Sequence, residues 1–166
     1  GYDEDWTFTG FHPWGYTSFD AYLRGINTQT GEVRFVSSEQ AALFDGKSDW
    51  TVGAFYKKSE EQLTRQYTYL SNDYISEYAP TTTAFYVQTE TALQDNLTLV
   101  AGLRAESYDF EFADNSGLTR QLDTNMLGGK VALQYTLDDH FYYASISRGF
   151  KGAGFNPDNR VNEAQR

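Results

Sequence analysis

The chain has 166 residues, 40% of them hydrophobic, no cysteine, and 13 basic against 23 acidic residues for a net charge of -10. That balance repels nucleic-acid phosphates and excludes nucleic acid as a partner class; without cysteine, neither a disulfide framework nor a thiolate metal site can be built. Aromatic residues make up 17%, with 13 Tyr and 12 Phe, although the mean hydropathy is negative. This mixture suits surfaces where rings meet both an apolar phase and water, as in membrane barrels and carbohydrate-binding sandwiches, better than a core of Leu, Ile and Val.

No stretch approaches the roughly 20 apolar residues of a membrane helix, so a helical membrane protein is excluded. Barrel strands remain open, because a lipid-facing strand needs an apolar residue only at every second position. The opening "GYDEDWTFTG" has no basic flank or apolar signal region, and the polar sequence at Gly1 and at Arg166 leads us to expect a piece of a longer chain.

In chain order, "YDEDWTFTG" reads as a fragmentary first strand, followed by a long polar loop at 10–31. "EVRFVSSE" (32–39) and "WTVGAFYKK" (50–58) read as two shorter strands joined through "QAALFDGKSD", with a turn or two of helix at most in "SSEQAALFDG". A second long, tyrosine-rich loop is expected at 58–80. "TTTAFYVQTETAL" then sets Phe85, Val87, Thr89, Thr91 and Leu93 against Tyr86, Gln88, Glu90 and Ala92. After the turn at Asp95-Asn96, "NLTLVAGLRAESYDFEF" (96–112) places Leu97, Leu99, Ala101, Leu103 and Ala105 on one face and Thr98, Val100, Gly102, Arg104 and Glu106 on the other.

Beyond a polar loop at 113–120, residues 121–137 repeat the pattern: Gly129, Val131, Leu133, Tyr135 and Leu137 oppose Lys130, Ala132, Gln134 and Thr136. Asp138-Asp139 turns the chain into "HFYYASISRGF". About seven strands result, some longer than the ~5–6 residues of globular strands and reaching the ~9–11 that cross a bilayer. Tight turns at one end and long loops at the other are the asymmetry of outer-membrane barrels. The fold class expected is therefore all-β, antiparallel up-and-down strands of a transmembrane barrel.

Motifs of other chemistries fail on spacing. His12 and His140 have no partner His or Cys at ligand distance in sequence, which leaves no transition-metal site. The acidic groups Asp3, Glu4, Asp5 and Glu106, Asp109, Glu111 invite calcium or a glycosidase carboxylate pair, but Glu106 and Asp109 fall on opposite strand faces. "LGGK" lacks the spaced glycine and following hydroxyl of a phosphate loop, "GFKGAGF" has the wrong order for a dinucleotide fingerprint, and "NLT" at 96–98 reads more simply as a turn than as a glycan acceptor.

"YASISRGFKGAGFN" resembles a segment of TonB-dependent outer-membrane receptors, in which a strand climbs from a periplasmic turn into an extracellular loop. "VRFVSSE" resembles that family's Glu-x-Arg-x-x-Ser strand, "WTVGAFY" the strand after it, and "QTETALQDNLTLVAGLRAESYDFEF" its commonest hairpin, so the resemblance covers about residues 30–157. The ferric siderophore branch is the most similar.

The resemblance implies localisation in the cell outer membrane and uptake of a metal chelate with no resident cofactor and no enzymatic step. It also implies partners: a plug domain and further barrel strands of the same protein, the TonB energy-coupling complex, and outer-membrane lipid and lipopolysaccharide. The plug, its coupling segment and most of the barrel are not in this sequence.

On this reading Gln88, Glu90, Arg104, Glu106, Lys130 and Gln134 face the lumen or plug, and Trp14, Tyr16, Arg24, Arg65, Tyr67 and Tyr69 are extracellular-loop residues suited to chelate capture. Arg148 and Lys151 are rim residues within reach of lipopolysaccharide phosphates or loop carboxylates, and Tyr142, Tyr143 and Phe150 belong to an aromatic girdle. The rival class is a soluble, secreted carbohydrate-binding β-sandwich, followed by a glycoside hydrolase.

Overall fold

A computed structural model describes residues 2–11 and 17–152, with side chains from Phe19 onward. These residues form seven antiparallel strands: β1 (Tyr2–Phe11), β2 (Thr17–Val36), β3 (Ser48–Tyr67), β4 (Tyr74–Gln94), β5 (Leu97–Asp114), β6 (Thr119–Leu137) and β7 (His140–Arg148). Each pairs with its sequence neighbours in the order β1-β2-β3-β4-β5-β6-β7, an up-and-down meander in one sheet. The expected strand count and topology are observed. The sandwich alternative is not, since among the described residues no second layer covers either face: Leu103 is 59% exposed and Ile146 77%.

Cross-strand partners share a face, so the register sorts the side chains without ambiguity. One row runs Phe35, Val52, Val87, Leu103, Gly129; the next runs Arg34, Gly53, Tyr86, Arg104, Gly128. We call these the Leu103 face and the Arg104 face. The alternations read from the sequence in 85–92, 97–106 and 129–137 are reproduced.

The two loops expected at 10–31 and 58–80 are mostly strand. β2 and β3 each have 20 residues and β4 has 21, so these hairpins continue past the apolar stretch instead of dissolving into loops. Along β5 the apolar residues change sides, whereas β2 keeps Phe19, Ala21 and Leu23 on the same face as Phe35 among polar neighbours. Below, the Leu103 face carries Leu97, Leu99, Leu103, Val131 and Leu133; above residue 106 of β5 it carries Ser107, Asp109 and Glu111, while Tyr108, Phe110 and Phe112 take the Arg104 face. From Leu97 to Ala105 is eight steps, about 27 Å at ~3.4 Å per residue, close to the ~25 Å apolar band of an outer-membrane barrel.

The turns explain where the strands stop. Asp95-Asn96 and Asp138-Asp139 close the two tightest hairpins, Asp138 in the left-handed region (φ 51°). At the same end β2 and β3 are joined by a single 3₁₀ turn (Glu39–Ala41) and a tight reversal in which Phe44, Asp45 and Gly46 all have positive φ. Trp50 donates its indole N–H to the Ala41 carbonyl (2.9 Å), fixing this connection against the sheet.

At the opposite end Asp114 organises the β5–β6 turn, its Oδ1 accepting from the Ser116 amide (2.9 Å), the Ser116 hydroxyl (2.6 Å) and the Leu118 amide (3.0 Å). Pro80, which has no N–H, sits where the β3–β4 pairing lapses between Lys58↔Thr81 and Glu61↔Tyr78.

Aromatic rings gather at the short-turn end of the Leu103 face. Tyr135 and Tyr142 are cross-strand partners with centroids 6.3 Å apart, and His140 stacks on Tyr142 at 6.4 Å. Of the three residues expected in a girdle, only Tyr142 lies on this face. Tyr143 is one position on and therefore opposite, and Phe150 folds over Gly128 on the Arg104 face.

Candidate functional site

The Arg104 face holds two zones. The lower one is polar. Gln88, Gly102 and Lys130 form one row, and Arg104 lies beside Tyr86 in the next. Arg104 and Glu106 are two apart on β5 and so share the face; the guanidinium donates to Glu106 Oε2 through Nε (2.9 Å) and Nη2 (2.6 Å) and lies 5.6 Å from the Phe55 ring centroid.

Lys130 Nζ stands 5.5 Å from the Tyr143 ring centroid. Glu90 sits directly opposite Asp49, nearer the short turns, and Gln134 opposite Thr98 and Tyr143. All six polar residues expected to share a face do so, but only Arg104 and Glu106 touch as a pair.

Tyr86 reaches farther than its register predicts. Its hydroxyl hydrogen-bonds Glu32 two strands away, and it crosses β3 at Gly53. A Cβ on Gly53 would sit 2.5 Å from the Tyr86 ring, so glycine is the residue that permits the crossing.

The upper zone is aromatic and internally neutralised. Arg65 donates to both carboxylate oxygens of Asp20 (2.9 and 2.7 Å) with its guanidinium 5.1 Å from the Tyr22 centroid and 4.9 Å from that of Tyr67. Tyr69 packs edge-on against Tyr67 at 5.3 Å. Arg24 pairs with Glu61 at 3.1 Å.

Hydrogen bonding from Arg65 holds the Asp20 carboxyl below its ordinary value. One step lower, the Tyr78 and Tyr108 hydroxyls bond each other at 2.6 Å, and Phe110 lies 5.3 Å from Tyr78 and 6.3 Å from Tyr108. Burial, then the Tyr108 hydrogen bond, pushes the Tyr78 phenol up. Tyr74 donates to Asp114 at 3.2 Å.

Three of the residues expected in loops thus belong to strands: Arg24 to β2, Arg65 and Tyr67 to β3; Tyr69 lies in the β3–β4 turn, while Trp14 and Tyr16 fall outside the described residues. The sequence reading missed the acidic partners Asp20 and Glu61 and the Tyr78–Tyr108–Phe110 cluster. The every-second-residue spacing of Tyr74, Ser76, Tyr78 and of Tyr108, Phe110, Phe112 is the signal that reveals them.

Arg148 ends β7 beside Gly129 on the Leu103 face, one row below Leu127, so it lies just inside the apolar stretch. Lys151 follows it and is exposed. Among the described residues no cluster of three His, Cys, Asp or Glu side chains could hold a metal ion.

Long antiparallel strands with an apolar band on one face and a polar stripe on the other define a segment of an outer-membrane β-barrel. Residues 1–163 match the family described as TonB dependent receptor-like, beta-barrel, and the chain belongs to that family; its place is the outer membrane.

The fold is shared with the ferric citrate transporter FecA in its unliganded form (18% identity, TM-score 0.67, 77% of this chain and 21% of that one). It is shared as well with the ferric yersiniabactin uptake receptor FyuA of Yersinia pestis (16%, 0.63, 85% and 23%) and the alcaligin outer-membrane receptor FauA of Bordetella pertussis (16%, 0.58, 82% and 26%). The chain therefore spans about a quarter of these structures or less. No curated protein sequence matches it.

Proposed function

We propose that this chain is the part of an outer-membrane receptor that takes up a ferric siderophore or similar metal chelate, with the Leu103 face in lipid and the Arg104 face toward the lumen. The observation that carries the reading is the mid-strand exchange of polarity. Below it, hydrocarbon-compatible residues cover one face. Above it, β5 turns Ser107, Asp109 and Glu111 to that same face, as a wall rising from the bilayer into water requires, and its rings cross to the other side.

In this arrangement Gln88, Glu90, Arg104, Glu106, Lys130 and Gln134 contact a plug domain of the same protein, which the TonB complex remodels to release cargo. Arg148 extends upward from the apolar band toward lipopolysaccharide phosphates, as a long cationic side chain does near a membrane interface, and Lys151 adds a second positive charge.

The upper zone narrows the cargo. Arg65 and Arg24 are each neutralised by a carboxylate, so capture there falls to the rings of Tyr22, Tyr67 and Tyr78, which favours an aryl-bearing chelate over a polycarboxylate. The test is iron uptake by cells carrying the full-length protein, with and without an intact TonB complex, combined with single cysteines at Leu103 and Arg104. We expect TonB-dependent uptake, labelling of the Arg104→Cys protein by a water-soluble maleimide, and protection of Leu103→Cys together with quenching of its fluorophore by lipid-borne quenchers. Labelling of position 103 and protection of 104 would reverse the facing.

A further inference from the structure

We propose that residues 149–152 form an inward strap, pinned by Phe150 on Gly128, that shields one edge of the polar patch of Gln88, Arg104 and Lys130. Three observations converge. A Cβ on Gly128 would lie 2.7 Å from Cε1 of Phe150, so the ring rests directly on the bare backbone of β6, on the Arg104 face. Two residues later a Cβ on Gly152 would touch the Tyr108 ring of β5 at 3.4 Å.

The chain leaving β7 therefore crosses β6 and arrives over β5 instead of continuing outward from its strand. Beside it runs an open groove lined by Tyr86, Gln88, Gly102, Arg104, Gly128 and Lys130, with Gly149 and Phe150 at its edge.

Glycine at 128 and aromatic at 150 are the complementary pair this packing requires: any side chain at 128 meets the ring and the Arg148 carbonyl, 2.9 Å from the same Cβ position. Gly149 has open space around it, so a side chain there meets nothing. The strap bridges the two zones, since Tyr108 belongs to the aromatic cluster and Gly128 adjoins Arg104. Departure of Phe150 from Gly128 would widen the way from the upper zone into the groove. This role rests on the lumen reading of the Arg104 face; the strap itself does not.

The test uses the full-length protein in micelles with Tyr108→Cys and Gly152→Cys together. The Gly152 Cβ position lies 3.5 Å from Tyr108 Cγ, one bond from the Cβ that a cysteine at 108 keeps, which brings the two Cβ atoms to within ~5 Å and makes a disulfide a fair probe of the contact. A cross-link should form on mild oxidation, should be absent from either single variant, should persist when Gly149→Ala is added, and should slow at least about tenfold with Phe150→Ala, equivalent to ~1.4 kcal/mol of lost packing. Barrel assembly is checked in each variant by heat-modifiable mobility.

No cross-link in an assembled double-cysteine protein overturns the strap, and a rate indifferent to Phe150→Ala overturns the pin. Shielding predicts that Arg104→Cys reacts about tenfold faster with a water-soluble maleimide once Phe150 is alanine, again ~1.4 kcal/mol. Equal, fast reaction in both overturns the shielding. A cysteine inert in both, with the cross-link still forming, overturns the lumen reading and the shielding role with it.

Discussion

Arg65 and Asp20 meet diagonally across β2 and β3, two hydrogen bonds of 2.9 and 2.7 Å joining them between the rings of Tyr22 and Tyr67. The pair stitches together the end of the β2–β3 hairpin farthest from the short turns, and it leaves the Arg65 charge neutralised by a carboxylate.

A pH dependence follows. Arg65 hydrogen bonding lowers the Asp20 pKa from its ordinary 3.8, so the pair stabilises the fold fully above that value and loses its contribution as pH falls through the lower folded-state value. With side chains 33% and 23% exposed, the contribution is about 0.2–1 kcal/mol. Urea unfolding of the full-length barrel at pH 7 and pH 3 should show this loss, and Asp20→Asn should abolish that part of the pH response. The same variant frees the guanidinium, so binding of a polycarboxylate such as ferric citrate should strengthen; unchanged binding would show that Arg65 is not reachable by anions.

Gly53 is the test of the Tyr86 bridge. A methyl group there collides with the ring at 2.5 Å and forces Tyr86 away from Glu32. Gly53→Ala should displace the Tyr86 ring and break its bond to Glu32, lowering the denaturant midpoint more than Glu32→Gln, which keeps the shape. Equal losses in the two variants, measured by denaturant midpoint, would mean the crossing is incidental.

Tyr78 offers a probe of the aromatic cluster. Burial and the Tyr108 hydroxyl raise its pKa above the ordinary 10, so its neutral form is favoured by the fold and the stabilisation, complete below pH 10, is lost as pH rises further. Difference absorbance of Tyr78→Phe against the parent should therefore show a phenol missing from the titration above pH 10, not at it. The variant should also be weaker by about 1 kcal/mol for one hydrogen bond. A missing phenol that titrates at its ordinary value would mean the Tyr78–Tyr108 contact is not maintained.

The fold was legible wherever one face stayed apolar along a strand. In 85–92, 97–106 and 129–137 alternation alone assigned the faces, and Asp95-Asn96 and Asp138-Asp139 announced their turns. Legibility failed at 17–31 and 58–80, where strands leave the band and polar residues crowd both faces; β2 nevertheless keeps Phe19, Ala21 and Leu23 alternating on the Leu103 face, a short period of two that its polar neighbours hid. Arg65 and Tyr67 were picked out as functional for their chemistry, but nothing local places Asp20, 45 residues earlier, against Arg65. Phe150 was misread for the same reason, its partner Gly128 being 22 positions back and bearing no side chain to mark it.

The exchange of polarity along β5 makes a final, position-dependent prediction. Leu103 and Asp109 are three positions apart on the Leu103 face, counted in steps of two, and lie on either side of the switch. If that face meets hydrocarbon below Ala105 and water above it, arginine at 103 must be drawn into or across the apolar band, whereas arginine at 109 replaces one solvated charge with another. For the full-length barrel folded into lipid vesicles, Leu103→Arg, one row inside the band, should cost more than the ~0–1 kcal/mol of an interfacial position though less than the ~2–4 kcal/mol of the midplane, and Asp109→Arg about 0–1 kcal/mol. Asp109 also faces Asp123 directly, so the second substitution relieves a like-charge pair and has room to stabilise. In detergent-free aqueous buffer the order has no reason to hold, which makes lipid the variable on trial. Equal costs at the two positions in vesicles would mean that the polarity exchange along β5 does not mark the membrane boundary.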